Sequence, residues 1–348
     1  MSESRPCGVI KESYEKDMAF FEKPFHYFAI GILTAVLLLV PYMLPEFYVN
    51  ILMLIAIFGI AIMGLNLLTN AYLFSVMHAA LIGVGAFTTA FISQQVPFFI
   101  AIPISGIMAA LVSVFFGLPS LRIKVFYLLF STTAAQFIIE WILNWLTRDI
   151  PGSAVYTAPI AIANHQFTMP EKYYLYLAIT AILAYLIAHI GRTPLGKAMV
   201  MMGEKDYAAQ IQGVNLLKFK TLAFAISGFY AGIAGSLWSY LLGLVTPEHF
   251  PFVMSWELLG VGVIVGGLGS YVWGSILGSI MIIVVTQLTT IIVTTLAPYL
   301  PWLGASAFGL RALMYGVIIA LILILEPRGL ASLLRKVKRY FDLWPFSY

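Results

Sequence analysis

The stretch GRTPLGKA, Gly191 to Ala198, comes within one residue of the phosphate-cradling pattern G-x4-G-K-[ST]. That pattern holds phosphates on backbone N–H groups, neutralises them with lysine and places a hydroxyl on magnesium. Ala198 has no hydroxyl, and an apolar run precedes the segment instead of a strand, so this chain is not expected to bind ATP itself. The five histidines, His26, His78, His165, His189 and His249, are scattered, and none pairs at metal-ligand spacing. H-E-x-x-H and G-x-S-x-G are both missing, so the common hydrolase signatures give no enzyme. Cys7 is the single cysteine, which excludes a disulfide framework and a cysteine-built zinc cluster. What remains is ionisable groups within apolar runs: Glu140 in FIIEWIL and His78 in SVMHAAL. Such groups are costly in hydrocarbon and mark solute or proton paths. Glu140 also reads as a side chain reaching interfacial water. His78, beside Ser75 and ahead of Gly83 and Gly85, reads equally as pathway or packing.

The elements that must position these residues are apolar throughout. Of 348 residues, 61% are hydrophobic and 10% charged, with a mean hydropathy of +0.95. A hydrocarbon core about 30 Å thick takes roughly 20 helical residues to cross. Apolar runs at 27–44, 48–68, 73–93, 98–117, 126–146, 172–190, 221–243, 255–269, 274–296 and 310–326 predict an all-α polytopic membrane protein of about ten helices, eight or nine if one is re-entrant. The runs are continuous and too long for alternating barrel strands. Arg5, Lys11, Lys16, Lys23, Arg122, Lys124, Arg192, Lys197, Lys205, Lys218, Lys220, Arg328, Arg335, Lys336, Lys338 and Arg339 fall on one side, and only Arg148, Lys172 and Arg311 on the other. By the positive-inside bias both termini are cytoplasmic, and an even span count agrees. The net charge of +4 then concerns orientation and implies no nucleic-acid partner. Residues 1–26 mix acids and bases without a cleavable apolar leader and are expected to form a cytoplasmic tail. The membrane domain is expected over 27–326 and a second cytoplasmic, basic and aromatic tail over 327–348. In that tail LLRKVKRYFDLW interleaves bases with apolar residues. It reads as a helix on anionic lipid or as a protein contact.

The largest loop expected on the cytoplasmic side is 191–220. Glu204 or Asp206 suits a helix start, Ala208, Ala209, Gln210 and Gln212 tolerate a helix, and Gly213 suits its end. Gly260, Gly262, Gly266, Gly267, Gly269, Gly274 and Gly278 crowd another region. Gly262/Gly266 and Gly274/Gly278 have the spacing of close helix packing. The same crowding suits a discontinuous helix lining a pathway. Gly83 and Gly85 form a weaker counterpart in the first half, which hints at an internal repeat.

Four stretches in order give the chain a family likeness over roughly 50–330: GLPSLRIKVFYLLFSTTAAQFIIEW, the run from GRTPLGKA to TPEHF, ELLGVGVIVGGLGSYVWGSILGS, and LRALMYGVIIALILILEPRGL. Together they resemble the LivM-type permease of branched-chain amino acid ABC importers. The resemblance implies a non-catalytic transport subunit in a prokaryotic cell (inner) membrane. It implies a second, LivH-like permease, two ABC ATPase subunits that bind the ATP and magnesium, an external substrate-binding protein, and an amino-acid substrate. Within that likeness, Tyr207 to Gly213 resembles the EAA-x3-G coupling pattern, with Tyr207 where glutamate is expected. Glu204, Lys205, Asp206 and Tyr207 become contacts to the ATPase, with Ala208, Ala209 and Gly213 permitting close packing. Ser75, His78, Gly83, Gly85, Gly266, Gly267 and Gly269 become candidates for the translocation pathway. The family's GYAGQLSLGHAAF departs here to NAYLFSVMHAALIGVGAF, with Met77 ahead of His78. This glycine-poor version is expected to be straighter. Permeases for urea or other amino acids, an ion-coupled carrier and an intramembrane enzyme are the competing readings.

Overall fold

The computed structural model describes residues 24–120, 125–162, 165–296, 299 and 307–343. The first 23 residues of the expected tail, with Cys7, lie outside the described residues, as do Arg122, Lys124 and residues 344–348.

The described residues are mainly helical. α1 is Pro24–Met43, α2 Glu46–Asn70, α3 His78–Ile92, α4 Phe98–Ser120, α5 Val125–Thr147 and α6 Met169–Arg192. The short helices α7, Pro194–Glu204, and α8, Asp206–Ile211, lead into the long α9, Leu216–Leu242. α10, Phe252–Glu257, continues without a break into a π-helix, Leu258–Val265. α11 is Trp273–Leu296, α12 Ala307–Leu325 and α13 Leu330–Leu343. Each of the ten apolar runs carries helix. Among the described residues seven helices are long and apolar enough to cross a membrane, while Thr34–Met43 and His78–Ile92 are shorter apolar helices. Among the described residues four two-residue strands pair outside the helices, β1 (Val155–Tyr156) with β4 (Leu244–Val245) and β2 (Ala161–Ile162) with β3 (His165–Gln166).

α9 is the axis of the fold. Its small residues admit neighbouring backbones at distances no side chain allows. A Cβ on Gly235 would lie 1.9 Å from the Ile82 carbonyl oxygen of α3, and one on Gly232 2.5 Å from the Ser105 carbonyl oxygen of α4. Close approach is the main source of helix association where lipid removes the hydrophobic drive. Outward faces stay apolar: Phe115, Phe130, Trp141 and Ile324 are each more than 60% exposed, as lipid-facing side chains are.

The expected run 73–93 is corrected at its start. Residues 71–77 are not helical, and Tyr72 takes a left-handed φ of 55°. The segment is broken, not straighter. Ala71, Tyr72 and Leu73 N–H groups close onto the last turn of α2, and Val76 N–H reaches Thr132 Oγ1 on α5.

Candidate functional site

Two interrupted segments meet in the interior. The N-terminus of α3 leaves backbone N–H groups without helical partners, and buried side chains accept them. Val76 N–H donates to Thr132 Oγ1 (3.2 Å), Ala79 N–H to Ser255 Oγ (2.9 Å) and Ala80 N–H to Gln136 Oε1 (2.9 Å). Gln136 also accepts from the Ser255 hydroxyl (3.1 Å) and donates to the Phe250 carbonyl (3.3 Å). One glutamine on α5 therefore ties the start of α3 to the start of α10. Thr132, Gln136 and Ser255 are wholly buried. Leaving such a group unpaired costs about 1–3 kcal/mol, so the junction is directional as well as cohesive. His78 joins it from the side, its Nε2 2.8 Å from Ser227 Oγ on α9, while its Nδ1 is buried without a partner.

A second feature lies where α10 becomes π-helical. Glu257, 7% exposed, accepts from the Arg311 guanidinium at 2.6 Å. Arg311 is carried by the first turns of α12, within the expected run 310–326, and lies 5.7 Å from the Tyr315 ring centroid. π-Helix is rare and recurs at functional sites. Here it runs for eight residues and lets Gly262 approach α11, where a Cβ on Gly278 would fall 2.0 Å from the Gly262 carbonyl oxygen. Gly266 and Gly274 form a matching contact, 2.2 Å by the same measure. Both small-residue pairs expected from spacing thus pack face to face. Beyond them Gly267 and Gly269, at φ 122° and 84°, shape the turn into α11.

A third feature is polar and open. α8 follows α7 after a single residue and ends as expected, with Gly213 at φ 83°. Tyr207 and Ile211, one helical turn apart, are 77% and 72% exposed and make one outward ridge. Ala209 is wholly buried against the chain itself, so it seats the helix and is closed to any partner. Glu204, Lys205 and Asp206 are exposed, and Asp206 accepts from Lys220 Nζ at 3.2 Å. The phosphate-loop near miss sits in the bend between α6 and α7, with Pro194–Ala198 helical. Far from α8, an open groove of about 300 Å³ is lined by Ser93, Gln94, Gln95, Phe98, Pro159 and Tyr240. From Leu216 to Tyr240 α9 rises roughly 36 Å at 1.5 Å per residue, so groove and α8 lie about a bilayer apart.

The pathway candidates do not form one cluster. Ser75 and His78 are wholly buried at the junction. Gly83 lies against Leu143 and Phe250, and Gly85 against the backbone of Gly232. Gly266, Gly267 and Gly269 belong to the turn beneath the π-helix. Sequence reasoning missed Thr132, Gln136, Ser227, Ser255, Glu257 and Arg311. The signal was present only for Glu257, an acid at the head of an apolar, glycine-rich run. Among the described residues no group of three acids, histidines or cysteines is placed to hold a metal ion.

A family model described as branched-chain amino acid transport system / permease component matches residues 47–326. The high-affinity branched-chain amino acid transport system permease protein LivM of Escherichia coli is 27% identical over 277 residues, covering 71% of this chain and 65% of the relative. The chain thus spans just under two thirds of that relative's length. The probable branched-chain amino acid transport permease protein LivH of Methanocaldococcus jannaschii is 27% identical over 225 residues, 61% of this chain and 66% of that one. The ribose import permease protein RbsC of Haemophilus influenzae is 23% identical over 210 residues, 57% and 62% respectively. No solved structure matches the chain.

Proposed function

We propose a role that starts from the family: the chain belongs to the permease components of branched-chain amino acid transport systems. It forms half of the translocation pathway of an ABC importer in a prokaryotic cell (inner) membrane, for branched-chain or similar apolar amino acids. The family match over 47–326 carries this reading. A second permease completes the pathway, two ATPase subunits bind ATP and magnesium, and an external binding protein delivers the solute. This chain itself is non-catalytic.

The geometry supports a division of labour. α8 presents a short, exposed ridge on a rigid two-helix arm, suited to a cleft in a soluble ATPase. The arm leads directly into α9, which packs on α3 and α4, so a push on α8 reaches the centre of the fold. The groove by Tyr240, about a bilayer away, suits the side where solute arrives. Relatives named for ribose import and for xylose transport make a sugar the second reading for substrate.

The test is reconstitution of the chain with the second permease, both ATPases and the binding protein from its own genome. ATP-dependent uptake of labelled leucine is expected, with none by the chain alone. Uptake by the chain alone on a proton or sodium gradient would overturn the ABC reading. Ribose or xylose uptake in place of leucine would replace the substrate only.

A further inference from the structure

We infer that α13 is a docking surface for anionic lipid headgroups at the membrane boundary, committing the helix to the bilayer and not to a soluble partner. Three observations meet in it. The first is position. Between Arg311 and Glu326 the sequence has no charged residue, and α12 ends at Leu325 with Ile324 and Leu325 each 79% exposed. Only four residues, 326–329, separate that apolar end from α13. Four residues span at most about 14 Å, within or next to the headgroup layer. Gly329, at φ 76°, folds the link tighter, and Ala331 N–H donates to the Gly266 carbonyl at 3.0 Å. The helix start is therefore pinned to the turn between two apolar segments.

The second observation is the uncovered face. Leu333, Leu334 and Val337 are 43%, 45% and 53% exposed, spaced at i, i+1 and i+4 on one side. The third is charge. From residue 326 to 343 Arg328, Arg335, Lys336, Lys338 and Arg339 outnumber Glu326 and Asp342. An apolar stripe bordered by bases is the pattern of a helix lying in an anionic interface. Lys336 also pairs with Glu326, which folds the helix back on its own link.

The test uses the full chain with Cys7→Ser and one nitroxide, at Val337→Cys, Leu333→Cys or Arg335→Cys, in vesicles of phosphatidylcholine alone or with phosphatidylglycerol. In the anionic vesicles the 333 and 337 labels should be accessible to oxygen and shielded from a water-soluble nickel complex, with 335 the reverse. Arg339→Gln should lower the ratio of immersed to released helix about fivefold, the equivalent of about 1 kcal/mol per basic side chain. Equal nickel access at 333, 335 and 337 in both vesicles would overturn the proposal. So would shielding of 333 and 337 that arises only when ATPase subunits are added.

Discussion

Replacing Arg311 by methionine should be among the most damaging single changes available in this chain. The change leaves the Glu257 carboxylate, 7% exposed, without the partner that now sits at 2.6 Å. Removing one member of a buried ion pair costs about 3–5 kcal/mol, because the charge left behind has neither water nor a counterion. The reverse change is milder. Glu257→Gln leaves a guanidinium that is 36% exposed and can turn toward water while keeping Tyr315, so a loss of about 1 kcal/mol is expected. Glu257→Gln with Arg311→Met removes both charges and should cost less than Arg311→Met alone, since no unpaired buried charge is left behind. Equilibrium unfolding of the four proteins in detergent micelles measures the cycle. A loss from Arg311→Met no larger than that from Glu257→Gln, or a double variant whose loss is the plain sum of the two, would refute the idea that burial of the acid sets the energy.

Gln136→Leu should cost more than about 3 kcal/mol in the same unfolding assay, since Ala80 N–H, Ser255 O–H and the Phe250 carbonyl each lose a buried partner at about 1–3 kcal/mol. Gly278→Val should lose at least about 1–3 kcal/mol by forcing apart backbones that leave 2.0 Å for a Cβ, while Gly316→Ala, with nothing within 4 Å, should gain about 0.5–1 kcal/mol. Tyr207→Ser with Ile211→Ser should leave stability unchanged and abolish co-purification of ATPase subunits and transport. Ala208→Asp should do the same, whereas Ala209→Asp should lower yield of folded chain because that position is wholly buried.

What could be read from the sequence followed from the bilayer. Runs of about 20 apolar residues have one stable conformation in hydrocarbon, so the helices stand where the runs do. Small residues four apart have one common use there, and Gly262 with Gly278 and Gly266 with Gly274 show it. The break at 71–77 could not be read, because it has no glycine of its own. Its first N–H groups close onto the last turn of α2, Val76 N–H reaches Thr132 Oγ1, and the first turn of α3 that follows is held by Gln136 and Ser255, 56 to 176 residues away from the atoms these three side chains accept. The Glu257–Arg311 pair was hidden by the same separation. Tyr207, an odd residue where an acid was expected, points away from the chain beside Ile211.

α9 meets α3 and α4 by close approach of glycine surfaces and through buried hydrogen bonds, His78 to Ser227, Thr89 to Ser236 and Ser113 to the Phe224 carbonyl. α3 and α10 meet through Gln136 and Ser255, whose hydrogen bonds have fixed directions and no water to replace them. If α9 transmits a push from α8, α3 and α10 must shift together as one body, with α5 attached through Gln136. The weak point for such a shift is then the π-helix below Glu257, where eight residues already depart from α-geometry and the next turn rests on glycines at positive φ.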